Sequence, residues 1–420
     1  MKQPRFMWRT YVLMIAIFFA SCSGGGGGSD SGSSMPPSST PGSTPSSPPS
    51  STPSSPPSAP AGMSASVVTY HNDIARTGQQ LAETTLSPAN VNAAKFGKIG
   101  FYTVDGKVDA QPLYLSQVSI AGGTHNVLYV ATENASVYAF DADSGAVLWA
   151  VSTLGKNETP SDDRGCGQIS PEIGITSTPV IDRMRGAIYV VSMSKDATSG
   201  YYQRIHALDI TTGAELFGGP TEITASYPGN GPNSSGGLVV FDPKQYAERQ
   251  SLLELNGTIY TAWTSHCDIA PYNGWVIAYS ADTLMRTSVL SLTPNGVEGS
   301  IWMSGAGMAS DGQSIYFLDA NGTFDTTLTA NGFPSLGDYG NAFLKLDATS
   351  GLTVSDYFSV SNTVAESNAD EDLGSGGALV LPDFTDSNGG VHHLALGAGK
   401  DAEIYVVNRD SMGKFSASTN

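Results

Sequence analysis

Carboxylates dominate the side chains that could do chemistry in this 420-residue sequence: 38 acidic residues stand against 20 basic ones, six histidines and three cysteines. Asp162-Asp163, Glu172, Asp268, Glu298, Asp325, Asp338 and Asp370-Glu371-Asp372 all fall between strand-like runs, where hard oxygen donors could hold calcium. No Asp-x-Asp-x-Asp-Gly loop occurs, so solvated loop acids and side-chain-bonded turns compete with that reading. Paired acids could also serve glycan cleavage, although spacing along a chain does not set separation in space. His206 lies between Ile205 and Ala207 in an alternating run, and His392-His393 opens another; both read as packed strand residues rather than bases. Three cysteines exclude a disulfide-dense scaffold and a four-thiolate zinc site. A net charge of −18 leaves no basic footprint for nucleic acid.

The elements that must position these groups are strands. Forty-eight glycines, 18 tyrosines and only 14% charged residues indicate a turn-rich β protein. The first 62 residues stand apart. Lys2, Arg5 and Arg9 precede an apolar run over 11–20, too short to span a bilayer comfortably and patterned as an export signal. It ends in Phe19-Ala20-Ser21-Cys22, which resembles a bacterial lipobox. That resemblance implies lipidation of Cys22 and cleavage before it; an ordinary signal peptide is the alternative. With Ser rather than Asp after the cysteine, it also implies outer-membrane sorting, facing the periplasm or the exterior. Residues 23–62 are a Gly, Ser, Pro and Thr tract with one charge, Asp30, which predicts a disordered tether. The remaining 63–420 carry 17 basic and 37 acidic residues, a net of −20. The division is thus 1–22 signal, 23–62 tether and 63–420 globular body.

That body repeats. Ala139-Phe140-Asp141-Ala142-Asp143-Ser144-Gly145-Ala146-Val147-Leu148-Trp149 recurs 68 residues on as Ala207-Leu208-Asp209-Ile210-Thr211-Thr212-Gly213-Ala214-Glu215-Leu216-Phe217. Decayed copies begin at Ala278, Leu346 and Val407, in steps of 61 to 71 residues. In each, a strand enters, Asp with Ser or Thr makes a side-chain-bonded turn, and Gly supplies a positive φ. A second strand leaves toward an aromatic that can pack between sheets. Two further strands precede each turn, giving four antiparallel strands per unit: a β-propeller blade, about five of them.

The Ala-x-Asp-x-x-Thr-Gly-x-x-x-Trp motif resembles the pyrroloquinoline quinone (PQQ) repeat of quinoprotein alcohol dehydrogenase-like propellers, over roughly residues 100–420. The stretch Pro171-Glu172-Ile173-Gly174-Ile175-Thr176-Ser177-Thr178-Pro179 resembles exported bacterial proteins of that type. The resemblance implies seven or eight blades. Here the fifth lacks a clear fourth strand, so either residues 97–104 close the ring or the chain is part of a larger one. In its enzymes the resemblance implies calcium holding PQQ, an Asp base, and a Trp floor with adjacent cysteines as ceiling. Adjacent cysteines are absent, and Trp263 and Trp275, ending and starting strands, read as inter-blade packing.

Up-and-down order puts the Asp turns on one end of the propeller. The longer loops, 161–174, 227–246, 265–274, 297–300, 322–340 and 366–374, lie at the other, the expected ligand face. Candidate residues there are Glu172, His266, Asp268, Glu298, Asp338 and Asp372. Cys166 and Cys267 share that face in an oxidising compartment, which predicts a disulfide; two separate thiols, or a metal role with His266 and Asp268, are the alternatives. The function expected is a non-catalytic binding or scaffold module of the cell envelope with a protein or glycan partner. A PQQ- and calcium-dependent dehydrogenase and a glycan-active enzyme are the runners-up. No metal site is predicted.

Overall fold

The computed structural model describes residues 66–419 apart from Ala82 and Ser350; the signal, Cys22 and the tether lie outside the described residues. The described chain is a β-propeller of antiparallel blades. The first is Leu113–Ile120, Gly123–Ala131, Ser136–Asp141 and Val147–Ser152 in that order. The second is built on Val180–Asp182, Ala187–Asp196, Tyr201–Asp209 and Thr221–Glu222, with Glu158–Asp162 also pairing along Ala187–Asp196. The third is Leu253–Leu255, Thr258–Ser265, Trp275–Ser280 and Arg286–Ser291. The fourth is Ala309–Ser310, Ser314–Leu318, Phe343–Asp347 and Thr353–Ser359. The fifth has three described strands, Leu379–Val380, Leu394–Ala398 and Ile404–Asn408. Lys414–Phe415 pairs with the outer strand of the fourth blade instead of completing the fifth. Among the described residues no helix is long and apolar enough to cross a membrane.

Strand periodicity explains the cores. Side chains alternate between sheet faces, and an inner blade has a neighbour on each, so its strands are apolar throughout. Ala187, Tyr189 and Val191 enter the core shared with the third blade, while Ile188 and Val190 enter the one shared with the first. Trp275, Ile277 and Tyr279 face the second blade; Val276 and Ala278 face the fourth. Trp263 and Trp275 are register partners with no exposed surface, as inter-blade packing requires. On the fifth blade Val407 is buried against the fourth, whereas Ile404 and Val406 are 71% and 57% exposed.

The repeat motif joins blades as well as turning strands. Asp141 Oδ1 accepts from the Asp143 and Ser144 amides and the Ser144 hydroxyl, and Asp209 does the same with Thr211 and Thr212. Gly213 has φ +72°, and a Cβ there would lie 2.8 Å from Trp149 of the preceding blade. Trp149 Nε1 in turn donates to Ile210 O, 3.1 Å. Tyrosines repeat this link. Tyr129, Tyr189 and Tyr260 each donate from one blade to the turn carbonyl of the next, at Ile210, Ala281 and Ala348. The decayed third turn puts Leu284 where the others have glycine, at φ 54°; its side chain is fully buried, and that burial offsets the backbone cost.

Residues 97–104 form no strand. Tyr102 packs on Phe140 at 5.2 Å and donates to Ala142 O, covering the outer face of the first blade. The blades are tied together along the axis by residues 67–76. Val67 pairs with Tyr114, Ile181 N donates to Val68 O, Ser310 N to Ile74 O and Val380 N to Ala75 O. Arg76 completes the set by donating to Leu252 O. Its guanidinium is buried and also bonds Met308 O, Thr69 Oγ1 and Tyr70 O. Burial pulls its pKa down to about 10.

Candidate functional site

The connections between blades and the loops after second strands meet at the mouth of the propeller axis. A cavity of about 370 Å³ there is lined by Lys107, Asp109, Gln111 and Thr176, and a smaller one of about 100 Å³ by Trp302, Asp268, Asp372 and Lys400. Gln168 and Arg249 line both. These residues come from segments flanking all five blades, so no stretch of sequence contains the site.

Arg249 is the hub. Its guanidinium lies 5.7 Å from the Trp302 ring centre, and it has no carboxylate partner among the described residues. Lys400 approaches the same ring at 5.7 Å and bridges Asp372 at 2.6 Å and Asp370 at 3.0 Å. Trp302 thus presents a flat apolar surface flanked by two cations. The backbone around it is strained: Cys267, Asp268, Glu298, Met303, Ser304 and Asp370 all have φ between 35° and 65°. Non-glycine residues adopt that region only where surrounding structure enforces it, a condition concentrated at functional sites.

Cys166 and Cys267 are joined in a disulfide with Cα atoms 5.5 Å apart, pinning the connection from the first blade to a loop of the third. His266, next to it, is buried with Nε2 unpartnered; burial and Arg164 push its pKa down to about 4, so it stays neutral. Asp268 accepts from Ser265 Oγ and Tyr272 OH at 3.1 and 3.0 Å. Glu298 is half-buried, and its pKa is raised by burial and by Asp268 and Asp372. Asp372 accepts from Asn321 N besides Lys400; burial raises its pKa in spite of the lysine.

The structure therefore brings Asp268 and Asp372 to the cavity, with Glu298 and His266 close behind. It does not bring Glu172 or Asp338. Glu172 lies on a short strand opposite Asp162. Asp338 is buried, and its Oδ1 pins the Asn295 and Gly296 amides. Asp162 is held by Lys195, Arg164 and Tyr201, and Asp325 by Ser335 and nearby amides, so these acids are structural. His206 is buried between Ser192 and Glu215, and His392 pairs with Asp386. Arg249, Trp302, Lys400 and Gln168 escape a sequence reading that follows carboxylates. The available signal was their rarity: few cations in an acidic chain, and a Trp beside Met303-Ser304-Gly305 instead of within a strand.

No family model matches the chain, and no curated protein matches it in sequence. Solved structures do. A quinohemoprotein alcohol dehydrogenase from Comamonas testosteroni superposes with a TM-score of 0.54 at 16% identity, over 84% of this chain and 49% of that one. The quinohemoprotein alcohol dehydrogenase ADHIIG from Pseudomonas putida HK5 gives 0.58 at 16%, over 84% and 48%. A europium-containing methanol dehydrogenase gives 0.55 at 14%, over 83% and 57%. This chain has the quinoprotein dehydrogenase propeller fold. It spans about half the length of those enzymes.

Whether the residues here fit the quinone and its cation is a question of donors. Trp302 with Arg249 and Lys400 would suit a flat polyanion. The cysteines bridge two distant loops instead of forming an adjacent pair. Among the described residues, no three His, Cys, Asp or Glu side chains group to hold a metal ion. The set fits an anion and does not fit the quinone with its calcium.

Proposed function

We propose that the chain is a cell-envelope binding module that captures a small anionic ligand at the mouth of its propeller. The observation that carries this is Arg249: a guanidinium without an acid partner among the described residues, shared by both cavities and set over a partly buried tryptophan. Because it lines both cavities with no acid partner among the described residues, its charge is left for a ligand to meet. A planar fork of donors matches a carboxylate bidentately, and partial desolvation in a cavity strengthens the pair. Among the described residues the lack of a grouped metal-ligand set favours binding over quinone chemistry. Export, a lipid on Cys22 and a tether over 23–62 complete the reading, holding the module at the membrane.

Trp302 supplies the readout. Quenching of tryptophan fluorescence is expected on titration with simple carboxylates, with aromatic dicarboxylates and with PQQ, with and without calcium. Arg249→Ala should weaken binding at least tenfold, and Trp302→Phe should remove the optical signal while calorimetry still detects binding. If none of these anions binds at millimolar concentration, or if Arg249→Ala binds as well as the parent, the reading is wrong. Cys22→Ala should release the protein from membranes; retention would remove the anchor from the proposal.

A further inference from the structure

We infer that the larger cavity is a subsite for an acidic sugar, a hexuronic acid whose carboxylate meets Arg249 and whose hydroxyls meet the amide and carboxyl groups of the wall. This rests on the binding function proposed above and names its ligand class. The wall chemistry decides between flat aromatic acids and polyols. An aromatic acid needs apolar walls on both faces. Here Ile169 is the one aliphatic residue lining the cavity, against Gln111, Gln168, Thr176, Asp109 and Arg249. A sugar hydroxyl both donates and accepts, so it needs amides and acids beside one another. A volume of about 370 Å³ is within the range that holds small-molecule ligands.

A second observation points the same way. Glu133 is 1% exposed, yet its Oε1 has no donor. Its Oε2 accepts from Gly174 N at 2.8 Å and from Thr176 Oγ1 at 3.1 Å, and Asp109 is near enough to help raise its pKa. Two carboxylates interact favourably only by sharing a proton. Burial, with Asp109 adding to it, pushes the Glu133 pKa up to about 8. At neutral pH the pair therefore carries one negative charge in place of two. With Lys107, 2.9 Å from Asp109, and Arg249, the cavity is net positive inside an acidic protein. Tyr70, whose pKa is raised chiefly by burial, stays neutral there. Asp109 lines the cavity, where a ligand hydroxyl can reach its carboxylate, and the wall does not repel a ligand carboxylate.

Calorimetry on the exported protein distinguishes the levels of this argument, with galacturonate, digalacturonate, polygalacturonate, galactose and succinate as probes. Galacturonate should bind at least tenfold more tightly than either galactose or succinate; tighter binding of the polymer would identify chain ends as the source. Arg249→Ala should weaken galacturonate and succinate alike by tenfold or more. Asp109→Asn should weaken galacturonate at least threefold and leave succinate within twofold. Galacturonate affinity should also fall as pH rises through 8 in the parent, and that fall should disappear in Glu133→Gln. Succinate binding as tightly as galacturonate would overturn this inference and leave anion binding standing. No binding by any carboxylate would overturn both.

Discussion

The two ends of the propeller are built on opposite principles. At the Asp-turn end, each acid is fully used: Asp141, Asp209 and Asp347 accept from the amides and hydroxyls of their own turns, and glycines take most left-handed positions. At the mouth, non-glycine residues such as Cys267, Asp268, Glu298 and Ser304 share those positions with glycines, Arg249 lacks an acid among the described residues, and His266 and Glu133 keep unpartnered atoms. Glu248, behind the mouth, has neither oxygen partnered, and burial holds its pKa well above the carboxylate range. The first end is a joint, where satisfied local bonds give stability. The second is held in place by constraints from elsewhere and leaves polar groups without protein partners among the described residues.

The largest effect should come from removing the constraint that holds the mouth. The Cys166–Cys267 disulfide closes a sequence separation of 101 residues. Chain-entropy arguments assign such a loop about 4–5 kcal/mol. Cys166→Ser with Cys267→Ser should lower the urea midpoint accordingly and abolish ligand-induced quenching. A loss under about 1 kcal/mol would mean that the mouth is pre-formed without it.

Acid should act on the mouth next. His266 has a folded pKa near 4, depressed from 6.5, so the unfolded chain takes up its proton first as pH falls. Its stability contribution is complete above pH 6.5 and is lost as pH drops toward 4. The shift corresponds to roughly 3 kcal/mol. Denaturation at stepped pH should show this slope in the parent and a flatter one in His266→Gln; equal slopes would remove His266 as the cause.

The turn end should respond more modestly and without touching binding. Asp209→Ala removes bonds to Thr211 and Thr212 and should cost about 1–2 kcal/mol, read as a lower thermal midpoint with unchanged ligand affinity. A change in affinity would break the separation between the two ends. The smallest effect belongs to the tyrosine links. Tyr189→Phe deletes the bond to Ala281 O at 2.7 Å and should cost about 1 kcal/mol.

The turn end was legible in the sequence because its physics is local. Asp, Ser or Thr and Gly within seven residues define the turn whatever the partner blade, and alternation marks the strands on either side. Even so, Leu284 in a glycine position is intelligible only once the pocket that buries it is seen. The tyrosine links were equally hidden, since each bonds a turn carbonyl 81 to 92 residues away, beyond any local pattern. Residues 67–76 carry no repeat signature, yet they bond to all five blades.

The candidate site divides the same way. Up-and-down strand order was enough to place Asp268, Glu298, Asp372 and the two cysteines at one end. It could not show that Asp338 turns inward to hold a backbone or that Arg249 stands over Trp302. Period, turn chemistry and fold class follow from the sequence because each is set by neighbours a few residues apart. The grouping of Arg249, Trp302 and Lys400 was decided only by tertiary structure. Arg249 and Trp302 lie on the connections after the second and third blades and Lys400 on a loop within the fifth, and how blades twist and pack sets the distances between such loops.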